Sequence, residues 1–183
     1  MPLPEPKPRT LRHTRRIELN GYERDDGLWD IEAHLVDTKS YEFSNHFRGQ
    51  IPVGEPIHDM WMRLTVDDTL TIREVAASTR LSPFPSCPQA APNYQQLVGM
   101  RIRSGWTEEV REKMGLTNGC THLFELLRPL ATVAIQTIFP LRNRRRPPNP
   151  DKRPPLLNTC HGWRDDGEAV RELYPAWYRP PSE

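Results

Sequence analysis

Cysteine is scarce in this chain: three in 183 residues, at positions 87, 120 and 160. That odd, widely spaced set argues against a disulfide framework and for reduced thiols. Long apolar runs are missing as well. No stretch of about 18 such residues occurs, so the sequence supplies no membrane-crossing helix. The opening Met1-Pro2-Leu3-Pro4-Glu5-Pro6-Lys7-Pro8 lacks the apolar core of a secretory signal, and the expected location is the cytoplasm. Charge of one sign is not in excess either: 25 Lys and Arg against 24 Asp and Glu give a formal +1. Such a balance creates no global field towards nucleic acid or membrane. No P-loop, GxGxxG or nucleophile-elbow motif is present, which sets aside nucleotide-driven and common hydrolase chemistry. Without a helix-turn-helix, an RNA-recognition signature or aromatic–basic interleaving, nucleic acid is not an expected partner.

Proline, by contrast, is abundant at 20 residues, and hydrophobic content is low at 36%. Both suggest extended tails around one packed domain. Residues 1–14 read as a Pro-rich basic arm, 15–139 as an α+β domain, 140–155 as a Pro/Arg-rich linker and 156–183 as a segment docking on the domain. Within the domain, Ile17 and Leu19 alternate with polar neighbours in a strand from Arg15 to Glu23. Trp29, Ile31, Ala33 and Leu35 share one face of a second strand after the turn Asp25-Asp26-Gly27. Residues 40–56 read as loop. The clearest alternation follows: His58, Met60, Met62, Leu64 and Val66 on one face, Asp59, Trp61, Arg63 and Thr65 on the other. Asp67-Asp68 turns it into a strand over Leu70–Thr79. The fold class is therefore α+β, an antiparallel β-meander of three to four strands packed against C-terminal helices.

Pro83, Pro85, Pro88 and Pro92 place Cys87 in a rigid loop. A short helix is expected over Tyr94–Arg103, and another capped by Thr107 and ended by Gly115. The longest apolar segment, Leu123 to Ile138, reads as the core helix, kinked or divided at Pro129. Arg142, Arg144, Arg145 and Arg146 read as a solvated basic linker rather than a phosphate-binding patch. Arg24, Asp26, Trp29 and Asp30 read as a structural turn, with an interaction edge as the alternative.

Four side chains carry the candidate chemistry: His58, Cys87, Cys120 and His122. Cys120 stands where the chain enters the core helix, and unpaired N–H groups at a helix start favour its thiolate. His122 lies two residues on, in the first turn. Imidazole and thiolate suit zinc or iron. Cys160-His161 is the rival pair.

The run Gly54-x-Pro56-x-His58-Asp59, followed by Leu64-Thr65-Val66-Asp67-Asp68 and Ile72, resembles the iron–sulfur cluster assembly scaffold family. The resemblance implies that fold and puts His58, Cys87 and the Cys120/His122 pair at the ligating positions. His58 stands where that family carries cysteine, so a Cys₂His₂ zinc site is the expectation, with iron or an iron–sulfur cluster as the alternative. Over the whole chain, Arg24-x-Asp26-Gly27-Leu28-Trp29-Asp30, Pro56-Ile57-His58-x-Met60, Ser86-Cys87, Leu97-Val98-Gly99, Gly119-Cys120-Thr121-His122-Leu123 and Tyr174-Pro175-x-Trp177 resemble an uncharacterised bacterial family, domain of unknown function 2889. The expected function is a zinc-binding accessory or interaction protein, as part of a larger enzyme complex or with another protein partner. The alternatives are a metalloenzyme with an open Cys/His site, in which His34 or Asp59 is the acid or base, and a thiol enzyme using Cys120.

Overall fold

The computed structural model describes residues 3–145, 149 and 152–180. Two units are distinguished, Met1–Phe139 and Pro140–Glu183. The first is built on a four-stranded antiparallel sheet: β1 (His13–Glu23), β2 (Trp29–Lys39), β5 (Pro56–Val66) and β6 (Ile72–Leu81), in that spatial order. This is the expected meander. Inserted between β2 and β5 is a small hairpin, β3 (Phe43–Asn45) and β4 (Gly49–Ile51). Three-residue strands are too short to show a period of two, which is why this stretch reads as loop in the sequence.

Register follows the apolar alternation. Leu35 faces Met60, Ala33 faces Met62, Ile31 faces Leu64 and Trp29 faces Val66 across β2 and β5, all buried. The opposite face carries Glu32, His34, Trp61 and Arg63. A one-residue slip would bury those polar groups instead, so the pattern fixes the pairing. The turn before β2 is structural: Arg24 Nε and Nη2 hold Asp26 at 3.1 and 2.5 Å, and Thr65 Oγ1 donates to Asp30 at 2.6 Å.

The helices are α1 (Trp106–Met114) and α2 (Thr121–Arg145). α2 is one continuous helix through Pro129 and Pro140. Each proline removes one backbone hydrogen bond. Leu126, Leu127, Leu130, Ala134 and Ile138 are buried along one stripe. Burial of each leucine or isoleucine contributes about 1.5–3 kcal/mol, which offsets that loss and carries the helix beyond residue 140, where a linker was expected. Arg146, Pro147, Pro148 and Pro150 of that linker lie outside the described residues. α1 starts two residues earlier than Thr107 capping would put it, because Gly105 takes a left-handed φ of 84° and buried Trp106 opens the helix.

The proline segment is more regular than expected. Cys87–Leu97 forms 3₁₀ turns, whose short i→i+3 bonds do not depend on the prolines' missing N–H groups. After Gly99, at φ 87°, the chain runs along the edge of β6: Met100 C=O accepts from Ile72 N–H at 2.8 Å, and Leu70 C=O accepts from Ile102 N–H at 2.9 Å. The helix expected over Tyr94–Arg103 is therefore a 3₁₀ segment followed by an edge strip.

α2 lies along β1. Glu125 meets Arg15 near one end and Thr137 meets Gly21 near the other. The two intervals cover about 20 Å of strand and about 18 Å of helix, which match. At Gly21 an added Cβ would lie 2.1, 2.8 and 2.9 Å from Oγ1, Cγ2 and Cβ of Thr137. Rotating the threonine does not move its Cβ, so helix or strand must shift. Gly21→Ala is expected to cost about 1–3 kcal/mol. Thr137→Ala should recover part of that loss in a double-mutant cycle read by chemical denaturation; additive effects would contradict the contact.

In the second unit, α3 (Glu168–Leu173) stands between 3₁₀ turns at His161–Trp163 and Pro175–Trp177. Leu157 and Val170 are buried, and the Trp163 and Tyr174 rings sit 5.7 Å apart. Among the described residues, no helix is long and apolar enough to cross a membrane.

Candidate metal centre

Asp37 and His58 are direct partners across the β2–β5 ladder. They sit where that ladder shifts register between Asp37 and Thr38, and where β5 shifts against β6 between Asp59 and Met60. The irregularity breaks the alternation: Ile57, His58, Asp59 and Met60 are all buried in succession. His58 serves the helix-covered face. Asp59 serves the other, where His34 Nε2 lies 2.8 Å from its Oδ1 and the His34 ring stacks on Trp61 at 3.7 Å.

Asp37 is 1% exposed and surrounded by donors. Arg15 binds it with both arms of its fork, Nε to Oδ1 at 2.8 Å and Nη2 to Oδ2 at 2.7 Å. His58 Nδ1 lies 2.9 Å from Oδ2 and His13 Nε2 3.3 Å from Oδ1. Burial works to raise the Asp37 pKa, but the Arg15 guanidinium overrules it and holds the carboxyl below its ordinary value. An ionised carboxylate only accepts, so His58 carries its proton on Nδ1 and leaves a lone pair on Nε2. Arg15 also reaches Glu125 on α2, tying helix to sheet beside the site.

His122 comes from the first turn of α2. The segment before it is fixed by the buried Tyr94, whose hydroxyl donates to Cys120 C=O at 2.9 Å and accepts from Cys120 N–H at 3.2 Å. Gly119 is obligatory there, since a Cβ would stand 2.5 Å from the Met114 carbonyl oxygen and 3.0 Å from the Tyr94 hydroxyl. So held, the His122 ring lies 3.7 Å from the His58 ring, tilted by 34°. Cys120 Sγ is 3.9 Å from His122 Nδ1.

Among the described residues, Asp37, His58 and His122 form the only group of three or more His, Cys, Asp or Glu side chains whose ligand atoms all lie within 4.8 Å of one another. Of the four residues singled out in the sequence, His58 and His122 are brought together and Cys120 adjoins His122. Cys87 opens the 3₁₀ segment outside the group. Cys160 is exposed in the second unit, and His161 Nε2 accepts from Arg164 at 2.9 Å. Asp37 and Arg15 were missed. Their signal is nonetheless in the sequence: Asp37 extends the apolar face of Ile31, Ala33 and Leu35 by one more step of two, and Arg15 precedes Ile17 and Leu19 in the same way.

Both imidazoles are pushed towards the neutral form. Burial lowers the His58 pKa, reinforced by His122; burial also lowers that of His122, reinforced by the Arg15 charge. Between the folded values and the ordinary 6.5, the unfolded chain binds more protons. The stabilising contribution is therefore complete above that value and is lost as pH falls through the window. Denaturation midpoints of metal-free protein should rise from mildly acidic to neutral pH and then level off. Replacing both histidines by glutamine should flatten that slope; an unchanged slope would contradict the assignment.

This geometry defines an α+β domain in which a carboxylate-oriented imidazole and a second imidazole meet between a sheet and the start of a helix. The chain belongs to the family described as Protein of unknown function (DUF2889), which it matches over residues 13–136. No curated protein and no solved structure matches it. The likeness to the iron–sulfur scaffold family therefore finds no support in these comparisons.

Proposed function

We propose that this chain is a metal-binding accessory protein that holds a single zinc ion through His58 and His122. The observation carrying this reading is the pair of imidazole rings 3.7 Å apart, one of them aimed by a buried carboxylate. A ligating histidine commonly donates its other ring N–H to such a carboxylate, which fixes the tautomer and strengthens the ligand. Asp37 fills that orienting role rather than a ligating one, because its oxygens already accept from Arg15 and His58. Cys120 adjoins His122, its Sγ 3.9 Å from Nδ1, and is the thiolate we assign as a further ligand. Imidazole with thiolate suits zinc. Positions left over would be completed by water or by a side chain of a protein partner, which accords with an accessory role in a larger complex.

Elemental analysis of the full chain, purified without a metal-binding tag, tests this. The expected result is about one zinc per chain, with iron as the outcome that would change the metal but keep the site. Protein free of any metal, and failing to take up added zinc, would overturn the reading. A second reading, a thiol enzyme with Cys120 activated by His122, is favoured by the 3.9 Å separation of sulfur and ring nitrogen. The two differ in alkylation: zinc should protect Cys120, whereas the thiol reading expects rapid modification of protein that binds no metal.

A further inference from the structure

β1 is an edge strand of eleven residues whose ladder to β2 runs without a register shift. Its backbone parity can be read from both ends. Ser40 N–H donates to Arg12 C=O at 3.4 Å, and Arg24 N–H donates to Leu28 C=O at 2.9 Å. In an antiparallel ladder alternate residues turn both backbone groups to the same neighbour. The even-numbered residues of β1 therefore bond β2, and His13, Arg15, Ile17, Leu19 and Gly21 direct theirs away from the sheet. No strand pairs with this edge among the described residues. Ile17 and Tyr22 are 38% and 49% exposed on it. Such an edge is a template for another strand.

We infer that the occupant is a second copy of this chain, its β1 antiparallel to the first about a two-fold axis at Ile17. Parity requires odd-numbered residues to bond odd-numbered ones, so the axis passes through a residue and not between two. Centring on Arg16 sets Arg16 against Arg16; centring on Glu18 sets Glu18 against Glu18. Only the register centred on Ile17, of these three, puts Arg16 of each copy opposite Glu18 of the other. That pair lies at a position without backbone bonds, where cross-strand side chains come closest. It occurs twice by symmetry, as an isologous interface demands. The same register stacks Ile17 on Ile17, covering apolar surface otherwise left in water, sets Arg12 against the Tyr22 ring, and forms about ten backbone hydrogen bonds across the axis. The result is one continuous eight-stranded sheet. None of this depends on bound metal.

The test is a charge exchange on the full chain, read by sedimentation velocity across a concentration series. The unmodified protein should show twice the chain mass at high concentration. Arg16→Glu and Glu18→Arg should each weaken self-association by about tenfold or more, since either places like charges face to face twice. Combining them restores opposite charges, and the double variant should recover dimerisation. Far-UV dichroism should be unchanged throughout, and melting should be unchanged at concentrations where every variant is a single chain, because both side chains are solvent-facing; at higher concentration the dimerising forms should melt later by mass action. A mass of one chain at every concentration, single variants that dimerise as before, or a double variant that stays as weak as the singles would each overturn the proposal.

Discussion

Asp37→Ala is expected to lower stability by about 2 kcal/mol, below the range for breaking a fully buried ion pair because Arg15 keeps access to solvent. For a chain of this size that corresponds to a fall in melting temperature of roughly 4–8 °C. The loss is large because one carboxylate answers three side chains. Without it the Arg15 side chain, 31% exposed, keeps Glu125 alone, and the His58 Nδ1–H faces a cavity. Asp37→Asn should cost less, since an amide oxygen still accepts from Arg15 while the charge is lost. Calorimetry of the two variants beside the unmodified protein reads the difference. Equal melting temperatures for all three would mean that the Arg15–Asp37–His58 cluster contributes nothing to the fold.

His58→Ala and His122→Ala carry the other large effect, this time on metal. Each removes one of two central ligands, and a remaining imidazole with one mobile thiol is a poor site. Zinc content should fall from about one per chain to near zero in both. The ligands lie at the mouth of the sheet and in the first turn of α2, so the fold should persist, and a dichroism spectrum checks that it does. Cys120→Ser should weaken binding without abolishing it. Asp37→Asn separates orientation from ligation: loss of an orienting partner typically costs 10–100-fold in affinity, whereas loss of a ligand removes the site. Full zinc retention in both histidine variants would place the metal elsewhere.

Much of the architecture was legible because its elements repeat at a period the sequence displays. β2 alternates cleanly, as does β5 from Met60 to Leu64, and the stripe from Leu126 to Ile138 marks α2. The β3–β4 hairpin was not legible, being three residues a side. Of the kink or division expected at Pro129, the division does not occur, because burial of the stripe carries one helix through it. Within the site, His58 and His122 stood out by residue type and position. Asp37 and Arg15 did not, because a charged residue at the end of an apolar face looks like the end of the strand. In the folded chain they neutralise one another there, which is what allows the face to continue. Grouping Cys87 with the others rested on spacing borrowed from a resemblance. The proline-rich segment takes a 3₁₀ path that leaves it outside the Asp37–His58–His122 group.

The central claim concerns two ring nitrogens, and they can be watched directly. Metal-free protein labelled with ¹⁵N at histidine should show His58 protonated on Nδ1 and bare on Nε2 at neutral pH. One equivalent of zinc should shift the imidazole signals of His58 and His122 together and leave His34 and His161 in place. If those two signals stay fixed while zinc is added, or if His58 proves protonated on Nε2, the site does not hold metal as described.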